Sequence, residues 1–220
     1  MHLSVYEFFI ENSVIEKFHG KRVLEVGPGD ASVRPFVERF LRPREYIGVD
    51  IKHGKYVDLI VPAERLVKYF GPESFDVIIA TELLEHVIDW RCVINNMKRV
   101  LKKGGYMYIT TRSLGYPYHG YPCDLWRYEL EDMVKSFSDF QIVVLKKDHE
   151  APGVFLKAHK SLNYKVNDLS RIAIYSVILG KRTVDIPQPT EMPFMRKLKY
   201  IIVSNILGIL TGRLRQALLR

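Results

Sequence analysis

The chain reads as an α/β fold: a mostly parallel sheet with helices on both faces. Three observations predict it. Apolar runs of strand length alternate with stretches whose apolar residues recur at helical spacing. The first run passes directly into a glycine turn, in Arg22-Val23-Leu24-Glu25-Val26-Gly27-Pro28-Gly29-Asp30. The second, Glu45-Tyr46-Ile47-Gly48-Val49-Asp50, ends on an aspartate.

The elements follow in order. Val5, Phe8, Phe9, Val14 and Ile15, set among Glu7, Glu11 and Glu16, predict an amphipathic helix over 3–18 that packs on the first strand and closes at Gly20. That pattern is neither a signal peptide nor a membrane span. Val23-Leu24 and Val26 suit a parallel strand buried on both faces. Gly27 and Gly29 lack a Cβ, so the backbone can turn sharply and a ligand can lie against it. Val33, Phe36, Val37, Phe40 and Leu41 then keep to one helical face. Strand, turn and helix form the first half of a nucleotide-binding βαβ unit. The third-glycine position of a dinucleotide fingerprint is Ser32, which weakens a pyrophosphate reading. Glu25, two residues before Gly27, suits a cationic ligand instead. Asp50 lies 21 residues after Gly29, where a carboxylate can accept both hydroxyls of a ribose.

Residues 75–111 choose the cofactor. Phe75-Asp76-Val77-Ile78-Ile79-Ala80 predicts a strand, followed by Thr81-Glu82-Leu83-Leu84-Glu85-His86-Val87. Trp90, Val93, Ile94, Met97, Val100 and Leu101 predict a helix that stops at Lys102-Lys103-Gly104-Gly105. Tyr106-Met107-Tyr108-Ile109-Thr110-Thr111 is the next strand. Glu-x-Gly-x-Gly at residues 25–29, together with this block, resembles the class I S-adenosylmethionine-dependent methyltransferases over about residues 20–145.

The resemblance implies a Rossmann-like, seven-stranded, mostly parallel sheet with an antiparallel last strand, and S-adenosylmethionine as cofactor. It implies cofactor contacts from Glu25, Gly27, Gly29, Asp50, Ile51, Ala63, Thr81 and Glu82. Two departures stand out. Ala31 takes a position where the family often has glycine, and Val61 or Pro62 takes the place of an acidic residue in the adenine loop. Adenine is then expected against backbone groups around Ala63, with Asp58 structural. Phe140 to Leu145 is the expected sixth strand. Gly153 to Ala158 is the expected seventh, with Arg171 to Leu179 competing for that place.

The family builds its acceptor site after the fifth strand, where this chain has Tyr116-Pro117-Tyr118-His119-Gly120-Tyr121-Pro122-Cys123-Asp124-Leu125-Trp126-Arg127-Tyr128. Aromatic rings and hydrogen-bonding groups at this density suit a concave acceptor site. Tyr116, Tyr118, Tyr121, Asp124 and Arg127 are the expected substrate contacts. Trp126, Leu130, Met133, Val134 and Phe137 follow helical spacing, which makes Trp126 a core residue and Asp124 either that helix's N-cap or a substrate contact. The run Tyr121-Pro122-Cys123-Asp124-Leu125-Trp126-Arg127-Tyr128 resembles a subgroup found among sugar and natural-product tailoring enzymes. His86 and His119 are the candidates for a base that takes a hydroxyl proton, against the simpler readings of a hydrogen-bonded loop residue and a solvated one. No cluster with metal-ligand spacing is visible: His149 and His159 are isolated, and the carboxylates are not spaced for a cation.

Charge is uneven. The chain carries a net charge of +8, of which residues 181–220 supply +6, from eight Lys/Arg against Asp185 and Glu191. The nearly neutral remainder argues against a nucleic-acid footprint. Cys92 and Cys123, with no obvious partner, point to a reducing, cytoplasmic compartment. The domain is expected over 1–160, with 161–220 an extension whose basic amphipathic helix lies on the anionic inner face of a membrane, pairs two copies, or packs on the domain. The reading favours methyl transfer to a small molecule or glycan, at oxygen. An RNA or protein methyltransferase and a non-catalytic cofactor-binding scaffold are the alternatives.

Overall fold

The computed structural model describes residues 2–119 and 123–195, with Leu198 and Ile202 beyond them. Seven strands form the main sheet: β1 (Arg22–Val26), β2 (Glu45–Asp50), β3 (Leu59–Ile60), β4 (Phe75–Thr81), β5 (Leu101–Arg112), β7 (Gln141–Lys147) and β8 (Gly153–His159), in the spatial order β3-β2-β1-β4-β5-β8-β7. β1 to β5 are parallel, and β8 runs antiparallel to both β5 and β7. The sixth and seventh strands thus lie where the sequence reading expected them. The competing segment Arg171 to Leu179 instead supplies β9 (Ile174–Ser176), which joins β6 (Trp126–Arg127) and β10 (Lys181–Thr183) in a separate three-stranded sheet.

Alternation along the strands separates two cores. Val23, Val77, Ile79, Tyr108 and Phe155 face α1 (Leu3–Asn12), α2 (Ile15–Phe18) and α3 (Arg34–Phe36). Leu24, Ile78, Ala80, Met107, Ile109 and Leu156 face the opposite layer, built around α4 (Leu66–Phe70), α5 (Trp90–Val100) and α6 (Leu130–Ser136). Leu169, Ile172, Ile174, Val177, Ile178 and Met192 belong to that second core, so the segment 169–192 packs into the same interior. Buried Lys98 fastens this layer: its Nζ donates to the Ser136 carbonyl at 2.6 Å, to Asp139 at 2.6 Å and to Asn167 Oδ1 at 2.9 Å.

Three local expectations are corrected. The helix expected over 3–18 is two helices. Asn12 Nδ2 donates to the Phe8 carbonyl and Ser13 Oγ to that of Phe9, and these side-chain bonds compete with helix continuation as Ser13 becomes extended. After α3 the chain widens into a π turn over Val37–Leu41, with Arg42 N–H on the Val37 carbonyl at 3.1 Å. The wider turn rotates Phe40 out to 54% exposure, while Val33 and Val37 stay buried. Trp126 is fully buried as expected, but in β6 rather than a helix, and α6 starts only at Leu130, capped by Glu129 with Asp132.

Among the described residues no helix is long and apolar enough to cross a membrane. The basic amphipathic helix, and the membrane or dimer contact expected through it, fall on residues outside those described.

Candidate functional site

Ligands of open α/β sheets bind outside the carboxyl ends of the strands. A cleft of about 370 Å³ opens at that end here. The loop after β1 forms one wall through Gly27, Pro28, Asp30 and Ala31, and Thr81 and Glu82 at the end of β4 form the floor. His86, Tyr116 and His119 stand opposite, with His2 at the mouth.

The wall takes its shape from two glycines. Gly27 has φ +78° and Gly29 φ +47°, both in the left-handed region. A Cβ on Gly27 would come within 2.7 Å of Leu83 Cδ1. Asp50, at the end of β2, accepts from Gly29 N–H at 3.2 Å and Ile51 N–H at 2.7 Å. Ile51 is largely exposed beside it, and Ala63 is buried at the start of a 3₁₀ turn, Ala63–Arg65. Asp58 accepts from Gly48 N–H at 2.7 Å and pairs with Arg34, a structural role.

Glu25 lies under the wall, fully buried. Its Oε2 accepts from Tyr46 at 2.7 Å and from Ser32 Oγ, while Oε1 has no partner. Burial pushes its pKa up to about 7, against the opposing pull of the Ser32 and Tyr46 hydroxyls. Neither Glu25 nor Asp50 lines the cleft itself; they flank the glycine turn that does, and two carboxylates behind a glycine-shaped wall suit a nucleoside whose other end is cationic.

The opposite side is built on charge. Glu82 has φ +53°, a left-handed conformation unusual for a side chain with a Cβ. It accepts from Thr110 Oγ1 at 2.9 Å and pairs with the guanidinium of Arg112. Arg112 is fully buried, bonds Asp148 at 2.9 Å, and lies 4.5 Å from the centre of the Tyr116 ring. His86 Nδ1 is 2.5 Å from the Cys123 carbonyl, which can only accept, so Nδ1 carries the hydrogen and Nε2 keeps a lone pair. Burial lowers the pKa of this imidazole. The His119 ring stands edge-on to His86, with centroids 4.9 Å apart, and its Nδ1 lies 3.2 Å from Asp124 Oδ2.

Asp124 and Arg127 turn toward each other rather than the cleft. They are buried in a two-pronged pair at 2.5 and 2.7 Å, and Asp124 also accepts from His119 N–H. Asp124 is therefore no N-cap; it holds the acceptor loop in shape, and the paired guanidinium keeps its carboxyl down at about pH 2 despite burial. Tyr118 is buried, and Tyr121 falls outside the described residues.

Sequence reading missed Arg112, whose signal was a cation ending an apolar strand, and His2, which donates to or accepts from Tyr116 Oη at 2.9 Å. It also found no cation cluster, whereas Glu85, His86 and His119 each bring a ligand atom within 4.8 Å of the others. Their separation in the chain hid that grouping.

Fold and cleft together define the class: an open, mostly parallel α/β sheet with a polar cleft at the carboxyl ends of its strands. The family model for the methyltransferase domain matches residues 7–147, and the chain belongs to that family; its cofactor is S-adenosylmethionine. A ubiquinone biosynthesis O-methyltransferase from Idiomarina loihiensis is 30% identical over 116 residues, 47% of this chain and 46% of that protein, so the match spans about half of each. A Burkholderia thailandensis 1,6-didemethyltoxoflavin-N1-methyltransferase superposes with TM-score 0.56 at 14% identity, over 72% of this chain and 76% of that one. An S-adenosylmethionine-dependent methyltransferase from Aquifex aeolicus gives 0.54 at 14% identity, over 71% and 90%. At such identities the superpositions speak for the fold.

Proposed function

We propose that the enzyme methylates a hydroxyl of a small molecule or glycan bound between the histidines and Tyr116. The observation that carries this reading is the tautomer of His86: its Nδ1–H is spent on a backbone carbonyl, leaving an Nε2 lone pair on the cleft side. An oxygen acceptor must shed a proton to become a good nucleophile, and a lone pair at hydrogen-bond reach receives it. The O-methyltransferase relative supports the same choice of atom.

S-adenosylmethionine, when bound, would supply an electrophilic methyl group for transfer to the acceptor oxygen. The residues of the chain orient the two partners. Gly27 and Gly29 let the ligand lie against the backbone, Asp50 takes the ribose hydroxyls, and Glu25 opposes the cationic end through the turn. Thr81 and Glu82 line the methyl end, while Ile51 and Ala63 flank adenine. Tyr116 stacks against the acceptor, and the Asp124–Arg127 pair keeps its loop closed. His119 assists His86 in drawing the proton.

Calorimetry with S-adenosylhomocysteine, followed by a turnover assay on a panel of phenols, sugars, amines and carboxylates, tests this. Methyl transfer to hydroxyls, lost in His86→Ala with homocysteine-product affinity retained, is expected. Transfer to nitrogen alone would overturn the choice of atom, and binding without any turnover would favour a scaffold.

A further inference from the structure

The acceptor side of the cleft holds a buried carboxyl beside the two histidines that proton abstraction alone does not explain. Glu85 is fully buried; its Oε2 accepts from Thr111 Oγ1 at 2.9 Å, and its Oε1 has no hydrogen-bond partner. A buried carboxylate oxygen without a donor is costly, and a cation removes the cost. A ligand atom of Glu85, one of His86 and one of His119 lie within 4.8 Å of one another. Behind each ring stands an oxygen acceptor that can orient it. The Cys123 carbonyl holds His86 Nδ1 at 2.5 Å, and Asp124 Oδ2 lies 3.2 Å from His119 Nδ1. Metal-ligating histidines characteristically give their second ring nitrogen to a carbonyl or a carboxylate. Here the two backing groups belong to neighbouring residues of one loop.

We infer that Glu85, His86 and His119 bind one divalent transition-metal ion at the acceptor side of the cleft. Two imidazoles and one carboxylate suit Zn²⁺, Mn²⁺, Co²⁺ or Fe²⁺ and suit Mg²⁺ poorly. Bonds of roughly 2.0–2.2 Å put tetrahedral ligand atoms about 3.5 Å apart. The His119 ring, 36% exposed, therefore swings inward by about 1 Å as the ion enters. His86 and His119 both line the cleft, so the ion's remaining positions face it and take an oxygen of the acceptor. Glu82, a further carboxylate lining the cleft, is committed to Arg112 and Thr110. With the ion bound, His86 is a ligand rather than the base, and the ion itself makes the acceptor hydroxyl more acidic so that its proton passes to water. That role rests on the methyltransferase reading; the ion site itself rests only on these three residues.

The test uses full-length protein stripped with a chelator and dialysed. It is titrated calorimetrically with Zn²⁺, Mn²⁺ and Mg²⁺, and with Co²⁺ followed by visible absorption. S-adenosylhomocysteine affinity is measured on the same samples. Saturable binding of one Zn²⁺ or Co²⁺, with a visible band diagnostic of nitrogen ligation, is expected. Affinity should fall at least tenfold in Glu85→Gln and in His119→Ala. His119 is partly exposed, so its variant separates ligand loss from misfolding, which circular dichroism checks on both. Absence of saturable binding in protein that still binds S-adenosylhomocysteine would overturn the ion and leave the cofactor reading intact. Binding undiminished in both variants would overturn it as well. Loss of S-adenosylhomocysteine binding with metal binding retained would sink the methyltransferase reading alone.

Discussion

On the β1–β2 side of the cleft, the chain offers backbone curvature and two carboxylates, Glu25 and Asp50, from consecutive strands. On the β4–β5 side it offers paired charges: Glu82, Arg112 and Asp148, drawn from distant segments around a buried guanidinium, and the local pair of Asp124 with Arg127. The first wall is a shape that a few glycines specify. The second is an electrostatic lattice that exists only once the sheet has formed. Damage to the first should therefore register as lost cofactor affinity, and damage to the second as lost stability and lost acceptor recognition.

The largest effect is expected from Arg112→Met. It leaves Glu82 and fully buried Asp148 without their cation, and should lower unfolding free energy by about 3–5 kcal/mol in urea titration. Adding Asp148→Asn should restore part of the loss; a loss below about 1 kcal/mol would mean that the lattice carries little.

Next comes Glu25. Its folded pKa of about 7 stands above the ordinary 4.5. The stability tied to its neutral form is therefore complete below pH 4.5 and lost as pH rises through 7. Wild-type stability should fall relative to Glu25→Gln across that window, by on the order of 3 kcal/mol, and run parallel to it above. Affinity for a ligand with a cationic end should rise over the same range, because that end favours the carboxylate. Parallel curves at all pH values would remove Glu25 from the cofactor wall.

Asp50→Ala should weaken S-adenosylhomocysteine binding by about 1–3 kcal/mol in calorimetry and leave acceptor KM in place. The smallest effect is expected from Tyr116→Phe, which deletes the hydroxyl contact to His2 and should cost under about 1 kcal/mol in stability. It should shift acceptor KM and not cofactor affinity. The reverse pattern in either variant would erase the division between the two walls.

The same division explains what the sequence disclosed. Glu25, Gly27, Gly29 and Asp50 follow from local rules of strand, turn and strand end, and the seven-stranded, mostly parallel sheet came with the family resemblance. Arg112 was invisible because its partners come from other strands, and the Glu85–His86–His119 grouping because a long excursion separates the histidines. Periodicity also misled at two places. The spacing from Trp126 to Phe137 fits a helix, yet a two-residue strand precedes the helix, and Trp126 is anchored by donating to the Val87 carbonyl at 2.9 Å. Phe40 fits the α3 face by count, but a π turn adds a residue and shifts it to solvent.

The position of β8 has a consequence for biosynthesis. It is the last strand of the main sheet to leave the ribosome, yet it slots between β5 and β7. Until Gly153–His159 emerge, β5 and β7 each present an unpaired edge and the growing chain has a gap where its sheet should be continuous. A nascent polypeptide stalled after Lys147 is thus expected to recruit chaperones, and release of the next dozen residues to be the moment at which the main sheet closes and β5 and β7 gain protease resistance.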